Sequence, residues 1–368
     1  RACGSSETLR VTQDFFQPYC GEYHLSPQSL SKSQSALISR VFNTILNRIF
    51  FNRNIREDAD FIIDHIDRRE IDVLWVGYGN ISYPLIKLIS DLRPDLKIVC
   101  DTDSVWSRFV LREAPFASGK RKRQIVTSGK EKQEEERAWV NLCNVTTAVS
   151  EVDADYYKSL ASDGKRIRLF SNAIDLETYK SPPSPPEGFH NPSIYLAGSY
   201  GKPTSSMNMA TQWVLDKVLP LVLSAYPNIH FYIVGNNSDI GFGHLNSPNI
   251  TVTGRLETVL PYLCNTNVAL VPLKFESGTR FKILEAGACK VPIVSTILGA
   301  EGIPVTDNKD ILLADEPEDF ANAIIKILED EDLAQSLAAN CHELINKHYS
   351  IDTLADEAKH ILEFLQNA

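Results

Sequence analysis

The chain has 368 residues, enough for two domains of ordinary size. Its 43% hydrophobic and 23% charged content is that of a globular protein and excludes a disordered or fibrous one. A net charge of −10 argues against a nucleic-acid binder, whose domain is usually basic.

Residues 1–12 have no apolar core and so do not read as a signal peptide. The missing initiator Met suggests a truncated start. Helical patterns cover 29–52 and 56–68, with no Gly-rich strand and loop before Ile71. Arg69-Glu-Ile-Asp-Val-Leu-Trp-Val-Gly77 is a short apolar run bounded by charge and Gly, the pattern of a buried parallel strand. The pattern returns at 96–101, 145–150 and 167–172, with helical stretches at 83–92 and from 105 to 140, the latter with a loop inside. Strands alternating with helices predict a parallel α/β sheet.

Four prolines between Pro182 and Pro186 forbid a helix interior or central strand and mark a linker. A second strand–helix series starts at Ile194. Residues 207–226 read as a helix with Trp213, Val214, Val218 and Leu221 on one face, and 319–328, 333–348 and 352–365 as further helices.

Within this half, Ser277-Gly-Thr-Arg-Phe-Lys-Ile-Leu-Glu-Ala286 is the most informative stretch. A small, flexible loop opens a helix, so free backbone N–H groups and the positive end of the helix dipole face outward, an arrangement suited to phosphate. Arg280 and Lys282 sit where cations oppose the dipole, which is understandable if an anion joins them. Glu285 lies in an otherwise apolar helix, where a carboxylate needs partners. Gly198, Gly254 and Gly299 each follow a predicted strand and ease a turn or allow a ligand to approach the backbone closely.

Taken in order, Tyr195-Leu-Ala-Gly198, Phe231-Tyr-Ile-Val-Gly235, Thr251-Val-Thr-Gly254-Arg255, Val268-Ala-Leu-Val-Pro-Leu273 and the segment from Ser277 to Gly302 resemble the nucleotide-sugar half of glycosyltransferase family 4. The resemblance implies an α/β GT-B fold: two Rossmann-like domains with parallel sheets facing a cleft, the first lacking its opening strand here. The implied domains are an acceptor-side domain at 1–180, a Pro-rich linker at 181–192, a nucleotide-sugar domain at 193–350, and a helix at 351–368 returning to the first domain. The implied activity is retaining transfer of a sugar from a nucleotide-diphosphate donor to a glycan, lipid or other hydroxyl acceptor.

By the same resemblance Arg280 and Lys282 stabilise the leaving diphosphate and Glu285 accepts hydrogen bonds from the ribose hydroxyls. Gly235, Gly254 and Arg255 lie near the base and Glu301 near the sugar. The family often has another Glu eight residues before the second; Ser277 stands there, leaving sugar contacts to backbone at Gly278 and Thr279. Relatives carry an Arg and a Lys in the loop after Gly198; here only Lys202 is present, and Arg280 reads as the replacement. Asp103 occupies a position where relatives often have a His beside the reacting sugar.

Asp101-Thr-Asp103 could chelate a divalent cation, but it ends a strand far in sequence from the phosphate turn. No metal or cofactor is expected, with the nucleotide sugar as co-substrate. Gly77-Tyr-Gly79 lacks the rest of a dinucleotide fingerprint. Alternatives are a nucleotide-sugar-binding protein without turnover and a nucleotide-sugar 2-epimerase, for which no convincing acid/base set is visible.

Residues 1–180 carry 26 Lys and Arg against 25 Asp and Glu, leaving 11 against 22 in the remainder, so the halves present different surfaces. The basic run 119–124 reads as a solvated loop or as a weak contact with anionic lipid. Residues 40–51 read as first-domain core more readily than as a membrane-surface segment. Seven scattered cysteines without a CxxC pair suit a reducing compartment. The expected location is cytoplasmic, with peripheral contact at the inner face of a membrane as an option.

Overall fold

The computed structural model describes residues 20–22, 24 and 43–367, with side chains omitted at 43–54 and 80. The expectations for 29–42 lie outside the described residues, as does the burial of side chains at 40–51. From Asn43 to Arg69 the chain is one helix, α1, with no break between 52 and 56.

Two parallel sheets follow, each heading its own lobe. The first runs β1 (Val73–Val76), β2 (Lys97–Cys100), β3 (Val145–Ala148) and β4 (Ile167–Leu169) in spatial order. Between them lie α2 (Tyr83–Leu92), α3 (Trp106–Arg112), α4 (Gly119–Leu142) and α5 (Glu151–Leu160). The basic run 119–124 opens α4 as helix rather than loop, exposed throughout apart from its edge at residue 125. One face of this sheet packs through Ile98, Cys100 and Ala148 against Ile86, Ile89, Trp139, Val140, Ala154 and Tyr157. Trp139 and Tyr157 meet edge to face at 5.2 Å, both fully buried.

The second sheet has the order β10-β9-β8-β5-β6-β7. Its strands are β5 (Ser193–Ala197), β6 (His230–Val234), β7 (Ile250–Val252), β8 (Val268–Val271), β9 (Ile293–Ser295) and β10 (Leu312–Leu313). Counted from β5, this is the doubly wound order 3-2-1-4-5-6, whose direction reverses between β5 and β8. Ligands of such sheets bind beyond the carboxyl ends of the strands at that reversal. The helices are α6 (Ser206–Trp213), α7 (Leu219–Ala225), α8 (Ser238–Phe242), α9 (Leu260–Leu263), α10 (Phe281–Ala288), α11 (Pro317–Glu329) and α12 (Glu331–His348). β5, β6 and β8 are apolar nearly throughout and buried, as strands covered on both faces must be.

A π turn at Val214–Val218 joins α6 to α7. It corrects the expected helical face: Val214 and Val218 are buried, but Leu221 is 38% exposed while Leu219 and Val222 point inward. Pro220 has no N–H to donate back along the helix, and the wider turn shifts the phase of everything after it.

The proline-rich segment lies along the second lobe. Phe189 stacks on Tyr232 with ring centroids 4.7 Å apart, and Asn265 Nδ2 donates to the Pro183 carbonyl at 3.0 Å. The last helix, α13 (Ile351–Asn367), returns to the first sheet, where Ile361 and Leu365 cluster with Val99 and Val145 on the face opposite the main core. Ser171 in the first lobe donates through N and Oγ to the Glu357 carboxylate at 2.6 and 2.9 Å. Among the described residues no helix is long and apolar enough to cross a membrane.

Candidate active site

The loops at the carboxyl ends of β5, β6 and β7 converge on glycines. Gly198 N donates to Val234 O at 3.0 Å and Gly235 N to Gly254 O at 3.2 Å. Gly235 has φ +119°, and a Cβ there would stand 2.2 Å from the Gly198 carbonyl oxygen, so only glycine fits. Gly254 also has positive φ, and its N–H is held by Ser238 Oγ at 2.9 Å. Lys202 and Arg255, from the same loops, are exposed. Gly299 follows β9 and packs tightly: its N–H donates to Thr296 Oγ1 at 2.9 Å, and a Cβ would meet the Val271 carbonyl at 2.4 Å.

The turn after β8 carries Ser277, Gly278, Thr279 and Arg280 into α10. It lies against the first lobe. Ser277 Oγ accepts from Val105 N at 3.2 Å, and Thr279 Oγ1 donates to Val149 O at 3.4 Å. Gly278, at φ +81°, comes so near the first lobe that a Cβ would be 2.7 Å from Asp103 O and 2.9 Å from Ser104 Cβ. Asp103 itself accepts from Trp106 Nε1 at 3.2 Å and Ser104 Oγ at 3.4 Å. Its neighbour Asp101 accepts from Thr147 Oγ1 at 2.7 Å, so the two carboxylates are engaged separately.

Arg280 stands at the N-cap of α10 and is 4% exposed. Its Nη1 donates to the Gly278 carbonyl, whereas Nε and Nη2 are buried without an acceptor. Each such orphaned donor costs about 1–3 kcal/mol, more for a charged group. Burial pulls the guanidinium down to about 10, opposed by Glu276 and Glu301; it remains cationic at neutral pH. Two residues on, in the same first turn, burial likewise lowers Lys282, opposed by Glu276 and Glu285. Burial raises Glu285, and Lys282 only partly restores it. A buried cation with two free N–H groups, a second desolvated cation and a carboxylate one turn along form a site that an oxyanion with adjoining hydroxyls would complete.

Glu301 does not stand free. Arg108 Nη2 donates to both its oxygens at 3.2 Å and Arg112 Nη2 to one at 2.7 Å. Burial raises the Glu301 carboxyl, but Arg112, Arg108 and Arg280 outweigh it and hold the group below its ordinary value. Arg112 Nη1 also donates to the Glu276 carbonyl at 2.7 Å, and the Glu276 carboxylate accepts from Ser206 Oγ at 3.0 Å. Asp153 adds an acid beside Arg108 at 3.5 Å. Asp103, just before this helix, was singled out from the sequence, but Arg112 and Asp153 were not. The available signal was two arginines four residues apart, on one face of a helix leaving a strand-end loop.

Residues 192–330 match a family model described as "Glycosyl transferases group 1". A curated relative, the uncharacterized 44.6 kDa protein in the cps region of Klebsiella pneumoniae, is 23% identical over 169 residues. That match spans 44% of this chain and 43% of the relative, less than half of either. Among solved structures, Anabaena HepE in complex with UDP-glucose is 13% identical with a TM-score of 0.58, over 84% of this chain and 82% of that one. Sucrose-phosphate synthase of Thermosynechococcus elongatus is 16% identical with a TM-score of 0.62, over 86% and 79%. A glycosyltransferase of Rickettsia africae is 14% identical with a TM-score of 0.62, over 91% and 85%. Two parallel-sheet lobes with these likenesses are the GT-B fold.

Proposed function

We propose that the chain, whose residues 192–330 match the model of group 1 glycosyl transferases within a GT-B fold, transfers a sugar from a nucleotide-diphosphate donor to a hydroxyl of a glycan or lipid-linked acceptor, with retention at the anomeric carbon. The observation that carries this reading is Arg280, buried at the first turn of α10 with two N–H donors lacking an acceptor. A diphosphate beside that turn supplies the missing oxygens. Lys282 adds charge, and Glu285 accepts the ribose hydroxyls. The loops of Gly198, Gly235 and Gly254 on one side, and those of Gly278, Thr279 and Gly299 on the other, flank the donor, with the space beside Gly235, Gly278 and Gly299 taken up by the protein's own carbonyls. Lys202 and Arg255 line the outer ends of the donor loops, within reach of the nucleotide's far end.

As the bond from the anomeric carbon to the phosphate oxygen breaks, negative charge grows on the diphosphate. Fixed cations aimed at that charge lower the barrier, an effect worth about 100- to 1000-fold for a single donor in comparable sites. The acceptor oxygen forms its bond on the same face, and its proton passes to the departing phosphate oxygen. Asp103, whose backbone carbonyl lies against Gly278, is read as accepting from a sugar or acceptor hydroxyl through its side chain. The UDP-glucose bound by HepE and the cps-region setting of the Klebsiella relative favour a uridine donor and a polysaccharide product.

The test is hydrolysis of UDP-glucose and related nucleotide sugars by the purified full chain, with and without Arg280→Ala. Slow sugar release, reduced about 100-fold in kcat by the substitution with a smaller change in donor affinity, supports transfer. Donor binding without turnover in the unsubstituted protein assigns a binding module instead. Equal losses in affinity and turnover reduce Arg280 to an ordinary binding contact.

A further inference from the structure

Two arginines on one face of α3 reach out of the first lobe and take hold of two loops of the second. We propose that Arg112 is a positioning residue, which fastens the first lobe to the backbone of the turn that presents Arg280 and so sets that turn's geometry in the closed cleft. This rests on the preceding reading only in calling the turn a donor site; the fastening stands on the contacts themselves.

Arg112 lies in the last turn of α3 and is 20% exposed through its side chain. Its planar fork spans two acceptors that belong to different loops. Nη1 takes the Glu276 carbonyl at 2.7 Å, in the turn after β8, and Nη2 takes Glu301 at 2.7 Å, in the loop after β9. A guanidinium makes two such directed bonds from one rigid plane, which an ammonium does not. Both loops leave the sheet near its reversal point, where the donor is placed.

Neighbouring contacts show why a single residue carries the register. One helical turn earlier, Arg108 grips the same Glu301 and leans on Asp153 of its own lobe at 3.5 Å. The start of α3 is fixed by Val105 N on Ser277 Oγ, and its far end by Phe116 packed on Phe275 with ring centroids 5.3 Å apart. Glu276 is tied on its other side to Ser206 in the second lobe. Of these contacts, only that of Arg112 with the Glu276 carbonyl pins a main-chain atom of the turn four residues from Arg280 through a charge-assisted bond. Loosening it removes none of Arg280, Lys282 and Glu285 but frees the turn that carries Arg280 to shift, and small shifts in a positioned group are expensive in rate.

The experiment compares the full chain with Arg112→Ala and Arg112→Lys by small-angle X-ray scattering without nucleotide, and then by UDP-glucose hydrolysis. Expected are a larger radius of gyration for Arg112→Ala, and a kcat about tenfold or more lower with KM within about threefold. Arg112→Lys keeps the charge and is expected to recover only part of the loss. Superimposable scattering from all three proteins overturns the proposal, as does full recovery by lysine. Should Arg112→Ala fail to fold, Arg112→Lys against the parent decides both measurements. If the parent neither binds UDP nor hydrolyses UDP-glucose, the donor reading fails while the scattering comparison still judges the fastening.

Discussion

Glu285 sits where burial and Lys282 pull its proton affinity in opposite directions, with burial the stronger. A carboxylate must be ionised to accept from two ribose hydroxyls. Nucleotide affinity therefore rises with pH as Glu285 loses its proton above its ordinary 4.5, and calorimetric titration of UDP across pH 5–7 is the check. Glu285→Gln should weaken binding about tenfold and flatten that dependence; a variant that retains the slope removes Glu285 from the site. The same shift has a consequence for folding. A raised native pKa contributes stability present below the unfolded value and lost as pH rises through the folded one, so Glu285→Gln should stabilise the protein at neutral pH. Gly235 poses a steric question instead. With φ +119° and a carbonyl 2.2 Å from any Cβ, Gly235→Ala should cost at least about 2 kcal/mol by urea denaturation and disturb the Gly198 loop with it.

The helix from Ser206 to Ala225 shows what an element's pattern conveys and what it conceals. Its existence and buried start are readable from apolar spacing, but the π turn at Val214–Val218 is not: Pro220 marks an interruption of the helix without fixing how far the phase shifts. Leu219→Ala should cost about 2–5 kcal/mol in urea denaturation and Leu221→Ala under about 0.5, the reverse of the ranking an ideal helix gives. The strands were legible for a related reason: residues such as Val268–Val271, covered on both faces, must be continuously apolar. β10, with two paired residues, is too short to signal itself. At the site, Arg280, Lys282 and Glu285 could be picked out because one local feature, a helix start with misplaced cations, holds them all. Glu301 was named by resemblance, but its partner Arg112 lies 189 residues away and the two meet only once both lobes are folded, so no spacing in the chain announces the pair.

Across the whole molecule, the lobes are joined by charge at the cleft and by α13 behind it. Glu301 is held below its ordinary 4.5 by the two arginines, so its bridge contributes stability above that value and loses it as pH falls through the folded pKa. The acid limb of the thermal-unfolding profile should therefore be shallower in Glu301→Gln than in the parent, and added salt should narrow the difference. The connection at the back has another character. Val99 and Val145 emerge from the ribosome before the whole of the second lobe, whereas the side chains that cover them, Ile361 and Leu365, come only after it. The first lobe is thus made ahead of the second but closed only behind it: during synthesis one side of its sheet stays wet until α13 arrives, and a nascent chain stalled before Ile361 leaves that apolar surface open to chaperones or to aggregation.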